Sequence, residues 1–260
     1  MTRDLGDFDL AAAMRGLYET GKYFVPVPPA ETRYEENYWG EVVDPDGSRR
    51  NRLEERDHYL ENLGAELSFI GGLAPGRLLD VGCGLGWLLS AIGDDWQKYG
   101  IEVSEFAAAR AREHGEIFIG PLLDCPFPED SFDLVIMYHV IEHLEDPVAN
   151  IAKVAKWLKA GGRLLLATPD FDSGCARRFG ARYRLLHDAT HISLFSNDSM
   201  HRFLRDHGFR IKRVDYPFFD TRYFTSENLM RLFETERVSP PFYGNFMTFY
   251  SVRLDRDLKE

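Results

Sequence analysis

The sequence predicts an α/β fold, a mostly parallel sheet with helices on both faces, and three observations carry that prediction. Residues 77–82, 97–103, 116–119, 132–138 and 163–168 read as short strands, and 85–93, 104–114 and 147–159 between them carry helical spacing. Such alternation is how parallel sheets are built. Leu78-Leu79-Asp80-Val81 has no helical period, as in a strand buried on both faces. Directly after it comes Gly82-Cys83-Gly84-Leu85-Gly86, opening onto the apolar Trp87-Leu88-Leu89. Glycines there let the backbone turn tightly and approach a ligand, at the carboxyl end of a strand where α/β sheets hold nucleotides.

The spacing narrows the ligand. A dinucleotide loop needs Gly-x-Gly-x-x-Gly, whereas here the third glycine comes one residue early and Trp87 stands where the last glycine would be. A pyrophosphate is therefore disfavoured, and with it a nicotinamide-dependent oxidoreductase. The next strand ends in Glu102, a carboxylate able to accept hydrogen bonds from both hydroxyls of a ribose. An adenosine ligand without phosphates fits best.

Further along, Cys125-Pro-Phe-Pro-Glu-Asp-Ser-Phe-Asp-Leu-Val-Ile-Met-Tyr-His-Val-Ile-Glu-His-Leu-Glu-Asp-Pro147 precedes Ala160-Gly-Gly-Arg-Leu-Leu-Leu-Ala-Thr-Pro169, then Thr190-His-Ile-Ser-Leu-Phe-Ser196 and Gly208-Phe209. With the glycine loop, these segments resemble, in order, the class I S-adenosylmethionine-dependent methyltransferases, over roughly residues 73 to 215. Their fold is a Rossmann-like seven-stranded, mostly parallel sheet. Here the last two strands would lie near 210–217 and 245–254, with Ser196 or Asn197 capping a helix that ends before Gly208.

The resemblance implies S-adenosylmethionine as cofactor and a binding set of Asp80, Gly82, Cys83, Gly84, Gly86, Glu102, Val103, Leu122, Leu123 and Tyr138. Many family members have Asp or Asn where this chain has Pro121, which weakens a side-chain contact to adenine there. A sulfonium methyl is already activated, so the protein has mainly to align an acceptor, exclude water and take up a proton.

His139, Glu142 and His143 would share one face of a helical turn. Three readings stand in order: backbone-bonded structure, proton transfer, and metal ligation. Ubiquinone-pathway O-methyltransferases are similar here and use carboxylates and a histidine in metal-dependent methylation, but His139 stands where they have Glu. His191, on a loop beside Asp188, suits a general base better than a metal ligand, and His187 lies four residues before it. The expected catalytic set is thus His139, His143 and His191, with no metal.

Arg177, Arg178, Arg182 and Arg184 crowd a short stretch after the fifth strand, either a solvated face or a clamp for an anionic acceptor. Aromatics gather toward the C-terminus, among them Phe218, Phe219, Tyr223, Phe242, Tyr243 and Phe246, and an insertion at about 218–243 is expected to form one wall of the acceptor pocket.

Residues 1–70 read as an N-terminal extension or cap and 71–260 as the methyltransferase domain. Within the cap, 7–20 suits a short amphipathic helix, Val25-Pro-Val-Pro-Pro29 forces extended chain, Asp44-Pro-Asp-Gly47 signals a turn and 49–69 suggests one helix. Tyr34 and Tyr38, within 23–39, suggest a lid over the cofactor.

A net charge of −11 argues against nonspecific nucleic-acid binding. Three widely spaced cysteines offer neither a disulfide framework nor a zinc pair and suit a reducing cytoplasm, and no apolar run is long enough to cross a membrane. A small-molecule acceptor methylated at oxygen, and a homodimer, are the remaining expectations. The alternative from another class is a catalytically silent S-adenosylmethionine-binding partner protein.

Overall fold

The computed structural model describes residues 8–28, 36–43, 49–217, 223–241 and 245–255. Tyr34, the turn at 44–47, Phe218, Phe219, Phe242 and Tyr243 lie outside the described residues. The main sheet has seven strands: β1 Arg77–Val81, β2 Gln97–Glu102, β3 Glu116–Ile119, β4 Phe132–Tyr138, β5 Leu158–Pro169, β6 Phe209–Asp215 and β7 Phe246–Arg253. Their order is β6-β7-β5-β4-β1-β2-β3. The pairs among β1 to β5 are parallel, while β7 runs antiparallel to both β5 and β6.

Alternation along the central strands creates two cores. Leu79, Val81, Val135 and Met137 point into one, which α7 (Pro147–Trp157) and α9 (Asn197–Asp206) cover with Ile151, Val154, Phe203 and Leu204. Leu78, Leu134 and Ile136 point into the other, against Ile70 of α4 (Gly64–Gly71), Leu88 of α5 (Trp87–Ala91) and Ala108 of α6 (Glu105–Ala111). Both ladders of small and branched side chains are buried, so the sheet is a rigid platform whose carboxyl edge is set by local signals. Asp146 caps α7 through Ala149 N–H at 2.9 Å with Pro147 in its first turn, and Ser196 and Ser199 form a capping box on α9.

A third cluster seats α1 (Leu10–Thr20), through Leu10, Met14 and Leu17, on Phe179, Tyr183, Leu186 and Leu194. Val25–Pro26 pairs antiparallel with Ser193–Leu194. The N-terminal helix therefore braces the segment after β5 that carries the arginines and His191.

Two sequence expectations are corrected. The stretch 49–69 is a strand (Arg49–Asn51), a short 3-10 turn (Arg52–Glu54), α3 (Arg56–Glu61) and α4, not one helix. Asn51 takes the Leu53 N–H on its own side chain, and the chain breaks again at Asn62 before Gly64. The fifth strand starts at Leu158, earlier than expected, because Leu158 pairs with Phe132 before a bulge restores register at Leu134 and Arg163.

Candidate functional site

The carboxyl ends of β1 and β2 form a cradle. Gly82, Gly84 and Gly86 all adopt left-handed backbone, with φ of 68°, 54° and 79°. At Gly86 a Cβ would lie 2.7 Å from Ala111 Cα, a backbone atom of α6, so only glycine fits. The loop is tied from beneath: Gly82 and Cys83 N–H donate to Ile101 carbonyl at 2.8 and 3.1 Å, and Gly84 N–H donates to Glu102 Oε2 at 2.8 Å.

Glu102 is 5% exposed and takes Ser104 N–H on its other oxygen at 2.8 Å. Burial pushes its carboxyl up, against the opposing hydrogen bonds from Ser104 and Gly84. Asp80, also buried, is pushed up to about 8, first by burial and then by the charge of Glu102. Val103 and Leu123 are exposed, and Leu122 is buried. The Cys83 side chain instead turns under the sheet, where its Sγ would lie 2.7 Å from a Cβ at Gly100; Cys83 meets the loop through backbone alone.

Trp39 of α2 (Glu36–Trp39) covers this corner. Its ring lies 3.0 Å from where a Cβ on Gly84 would be, and its indole N–H donates to Ser104 Oγ at 3.1 Å. Arg52 holds the turn from behind, donating to Tyr38 carbonyl at 3.0 Å and lying over the Tyr38 ring. Nothing in the local pattern placed Trp39 rather than its neighbours here.

At the end of β4 the chain turns sharply. His139, beside Tyr138, has φ 56°, a left-handed conformation uncommon outside glycine, and its N–H is held by Ala167 carbonyl at 2.9 Å. The imidazole packs edge-on against Tyr138 and Phe246 at 4.6 and 4.7 Å between ring centres. Its Nδ1 lies 3.2 Å from Glu142 Oε1, while Glu142 Oε2 accepts from Thr168 Oγ1 at 3.0 Å. Glu142 is fully buried. Burial opposes its charge, but the His139 hydrogen bond and the neighbouring His143, His139 and His191 outweigh it and pull the carboxyl down to about 2.

His143 and His191 do not line the cavity described next. Their Nδ1 atoms lie 2.9 Å from Thr190 carbonyl and 2.7 Å from Leu185 carbonyl, and the two rings stand 5.0 Å apart. Glu142, His143 and His191 each offer a ligand atom within 4.8 Å of the others, a donor set of the kind that holds a divalent ion. His191 is buried, and burial lowers its basicity despite Asp188 nearby. Asp188 itself is held well below the usual carboxylate range: burial opposes this, but His191 and the Thr190 hydroxyl and N–H prevail.

The cavity holds about 180 Å³ and is lined, among the described residues, by Tyr59, Asn62, Tyr138, His139, Arg184, Leu185, Tyr223, Pro241, Asn245 and Phe246. It opens at the carboxyl ends of the central strands, beside the glycine cradle. Tyr59 links the two, its ring 5.7 Å from Trp87 and 6.2 Å from Tyr138. Of these, the sequence singled out His139 as a catalytic candidate, Tyr138 as a cofactor contact, Arg184 within the arginine cluster and Tyr223 within the insertion; Phe246, Tyr59, Asn62 and Asn245 were not expected here, since nothing local distinguishes them from other polar and aromatic positions.

These features define a Rossmann-like nucleoside-binding α/β domain with a second pocket at the switch between strands. A family model of a methyltransferase domain matches residues 52–214, and the chain belongs to that family, the class I S-adenosylmethionine-dependent methyltransferases.

Among relatives, ajmaline N-methyltransferase of Rauvolfia serpentina is 34% identical over 103 residues, covering 35% of each chain. A ubiquinone biosynthesis O-methyltransferase of Alkalilimnicola ehrlichii is 32% identical over 110 residues, 38% of this chain and 44% of that one. The chain thus spans about a third to under half the length of these relatives.

An S-adenosylmethionine-dependent methyltransferase from Archaeoglobus fulgidus shares the fold at a TM-score of 0.58 and 17% identity, over 77% of this chain and 98% of that one. A geranyl diphosphate methyltransferase, solved with its diphosphate and sinefungin, does so at 0.54 and 21%, over 76% and 80%. No helix among the described residues is long and apolar enough to cross a membrane.

Proposed function

We propose that the chain transfers a methyl group from S-adenosylmethionine to a hydroxyl of a small-molecule acceptor, with His139 as the general base. The cradle suits an adenosine without phosphates: left-handed glycines turn the backbone tightly at the end of β1, and Glu102 keeps free lone pairs at the end of β2 while holding the loop. When bound, S-adenosylmethionine supplies a methyl on a positively charged sulfur, ready for displacement.

The observation that carries the reading is His139 on the wall of the cavity with the buried Glu142 against its Nδ1. An ionised Glu142 beside Nδ1 keeps the proton there and leaves Nε2 to accept one from the acceptor, as an orienting carboxylate does for a histidine base. Tyr59, Tyr138 and Phe246 provide apolar walls that exclude water. Lining by Tyr223 and Pro241 supports the expectation that the insertion at about 218–243 shapes acceptor choice. The three free cysteines suit a reducing cytoplasm.

The test is calorimetric binding of S-adenosylhomocysteine and of NADH to the full chain, with Gly84→Val as control, followed by methyl transfer to a panel of phenols, sugars and polyketides. Binding of the first ligand alone, lost in the control, with turnover of a panel member, is the expected result. Binding without turnover across a broad panel would favour a silent partner protein, and binding of NADH an oxidoreductase.

A second reading has one observation behind it, the convergence of Glu142, His143 and His191. On the base reading, exhaustive chelation leaves turnover unchanged. Activity lost on chelation and restored by magnesium or zinc would put an ion at this cluster instead.

Trp39 carries a separate expectation. Trp39→Ala should speed release of S-adenosylhomocysteine several-fold in stopped-flow fluorescence, because it uncovers the Gly84 corner. An unchanged release rate would remove 36–39 as a cover.

A further inference from the structure

Tyr59 stands at the border between cradle and cavity, and its helix is fastened at both ends. Arg56, at the start of α3, donates to Ser90 Oγ at 2.9 Å and ties that helix to α5. Asn62 closes the other end, donating from its side chain to the His58 carbonyl at 2.9 Å. The ring between them packs against Trp87, the residue directly after Gly86, at 5.7 Å with the planes 55° apart. It meets Tyr138, the last residue of β4, at 6.2 Å and 85°, and it lines the cavity. Burial, followed by Asp80 and Glu66, pushes its phenol up, so the ring is uncharged at neutral pH.

The position matters because of what has to lie beside it. With the ribose hydroxyls on Glu102 and the acceptor hydroxyl at His139, the sulfur that carries the methyl group must stand between cradle and cavity. Tyr59 bridges that gap. A sulfonium has no N–H or O–H to donate and no basic lone pair to accept with, so hydrogen bonds cannot recognise it. What remains is its positive charge, to which the electron-rich face of an aromatic ring is complementary. A carboxylate is the other kind of partner for a cation. Asp80 lies close enough to act on the Tyr59 phenol, but burial and Glu102 push it up to about 8, so it is mostly protonated at neutral pH.

We infer that the Tyr59 ring holds the charged sulfur of S-adenosylmethionine through a cation–π contact and so distinguishes the methyl donor from its neutral product. The inference rests on cradle and cavity being the two halves of the proposed methyl-transfer site. As the acceptor oxygen bonds the methyl carbon, the electron pair of the breaking carbon–sulfur bond stays on sulfur and the acceptor proton passes to His139. Sulfur is then an uncharged thioether on which the ring has no charge to hold, which favours release of S-adenosylhomocysteine. Tyr59 is thus a recognition residue for the donor and moves no proton.

The experiment is calorimetric titration of the full chain with S-adenosylmethionine and, separately, with S-adenosylhomocysteine, in the parent, Tyr59→Leu and Tyr59→Phe. Tyr59→Leu should weaken S-adenosylmethionine at least about fivefold more than S-adenosylhomocysteine, the worth of a partly desolvated cation on a ring face. Tyr59→Phe keeps the face and should leave the ratio of the two affinities within about twofold of the parent. Fluorine on that phenylalanine ring withdraws charge from the face at little change in volume. Adding fluorines one at a time should therefore weaken S-adenosylmethionine stepwise and leave S-adenosylhomocysteine unchanged. This series truncates nothing and carries the test if Tyr59→Leu folds poorly.

Equal losses for the two ligands in Tyr59→Leu, or a fluorine series in which S-adenosylmethionine affinity stays flat, would overturn the inference and leave Tyr59 as packing alone. Failure of the parent to bind either ligand would instead overturn the methyl-transfer reading on which it rests.

Discussion

Glu142→Gln is expected to lower kcat for methyl transfer by about 10²–10⁴-fold, the usual worth of a positioned general base, with affinity for S-adenosylhomocysteine unchanged. The carboxylate touches neither the cavity nor the cradle; it holds His139 through Nδ1 and is itself held by Thr168. Glutamine keeps the volume but removes the charge that fixes the imidazole proton on the side away from the acceptor. Steady-state kinetics and calorimetry on the same preparation check this. A loss confined to KM, or none, would leave His139 as a packed histidine.

The same substitution predicts a change in acid stability. The folded-state carboxyl lies at about 2, below its ordinary value of 4.5. A group whose folded pKa is depressed adds stability that is present above the unfolded value and is lost as pH falls through the folded one. The window is therefore about pH 4.5 down to 2, and the contribution is on the order of 3 kcal/mol. Denaturation midpoints of the parent should fall across that window, and those of Glu142→Gln should start lower at neutral pH and fall less. Parallel curves would show that the buried charge is not linked to folding.

Glu102→Ala is expected to weaken S-adenosylhomocysteine binding by about 1–3 kcal/mol, or roughly 5- to 150-fold. Its two oxygens hold Gly84 N–H and Ser104 N–H, so alanine leaves two backbone donors at a buried corner without their acceptor. Each such donor costs about 1–3 kcal/mol, so the melting temperature should fall together with the affinity. Glu102→Gln keeps one acceptor oxygen and should lie between the two. Unchanged affinity in Glu102→Ala would take Glu102 out of the cofactor site, and a fall in stability alone would make it a loop brace only.

The sequence by itself determined what depends on neighbours along the chain. Leu78 to Val81 reads as a doubly buried strand because Leu78, Leu79 and Val81 are apolar without helical spacing, and the glycines that follow are demanded by left-handed backbone at 82, 84 and 86. Ser196 caps α9 three residues before its partner Ser199. The strand-end acid at 102, the paired His139 and Glu142, and the alternation that makes a parallel sheet are all short-range, which is why they could be foreseen.

Only the tertiary structure decided which candidates meet. Glu142, His143 and His191 come together because Ile192 N–H bonds the Glu142 carbonyl at 2.8 Å, across some fifty residues of chain. That contact also buries His191 away from the cavity. The cavity draws Tyr59, His139, Arg184, Tyr223 and Asn245 from separate segments, and α1 braces the Arg184 segment from the far N-terminus. Local periodicity records which face of an element is apolar, but not which distant face will cover it. Packing against that partner is what leaves His139 and Arg184 on the wall while His191 is buried and His143 turns to the Thr190 carbonyl.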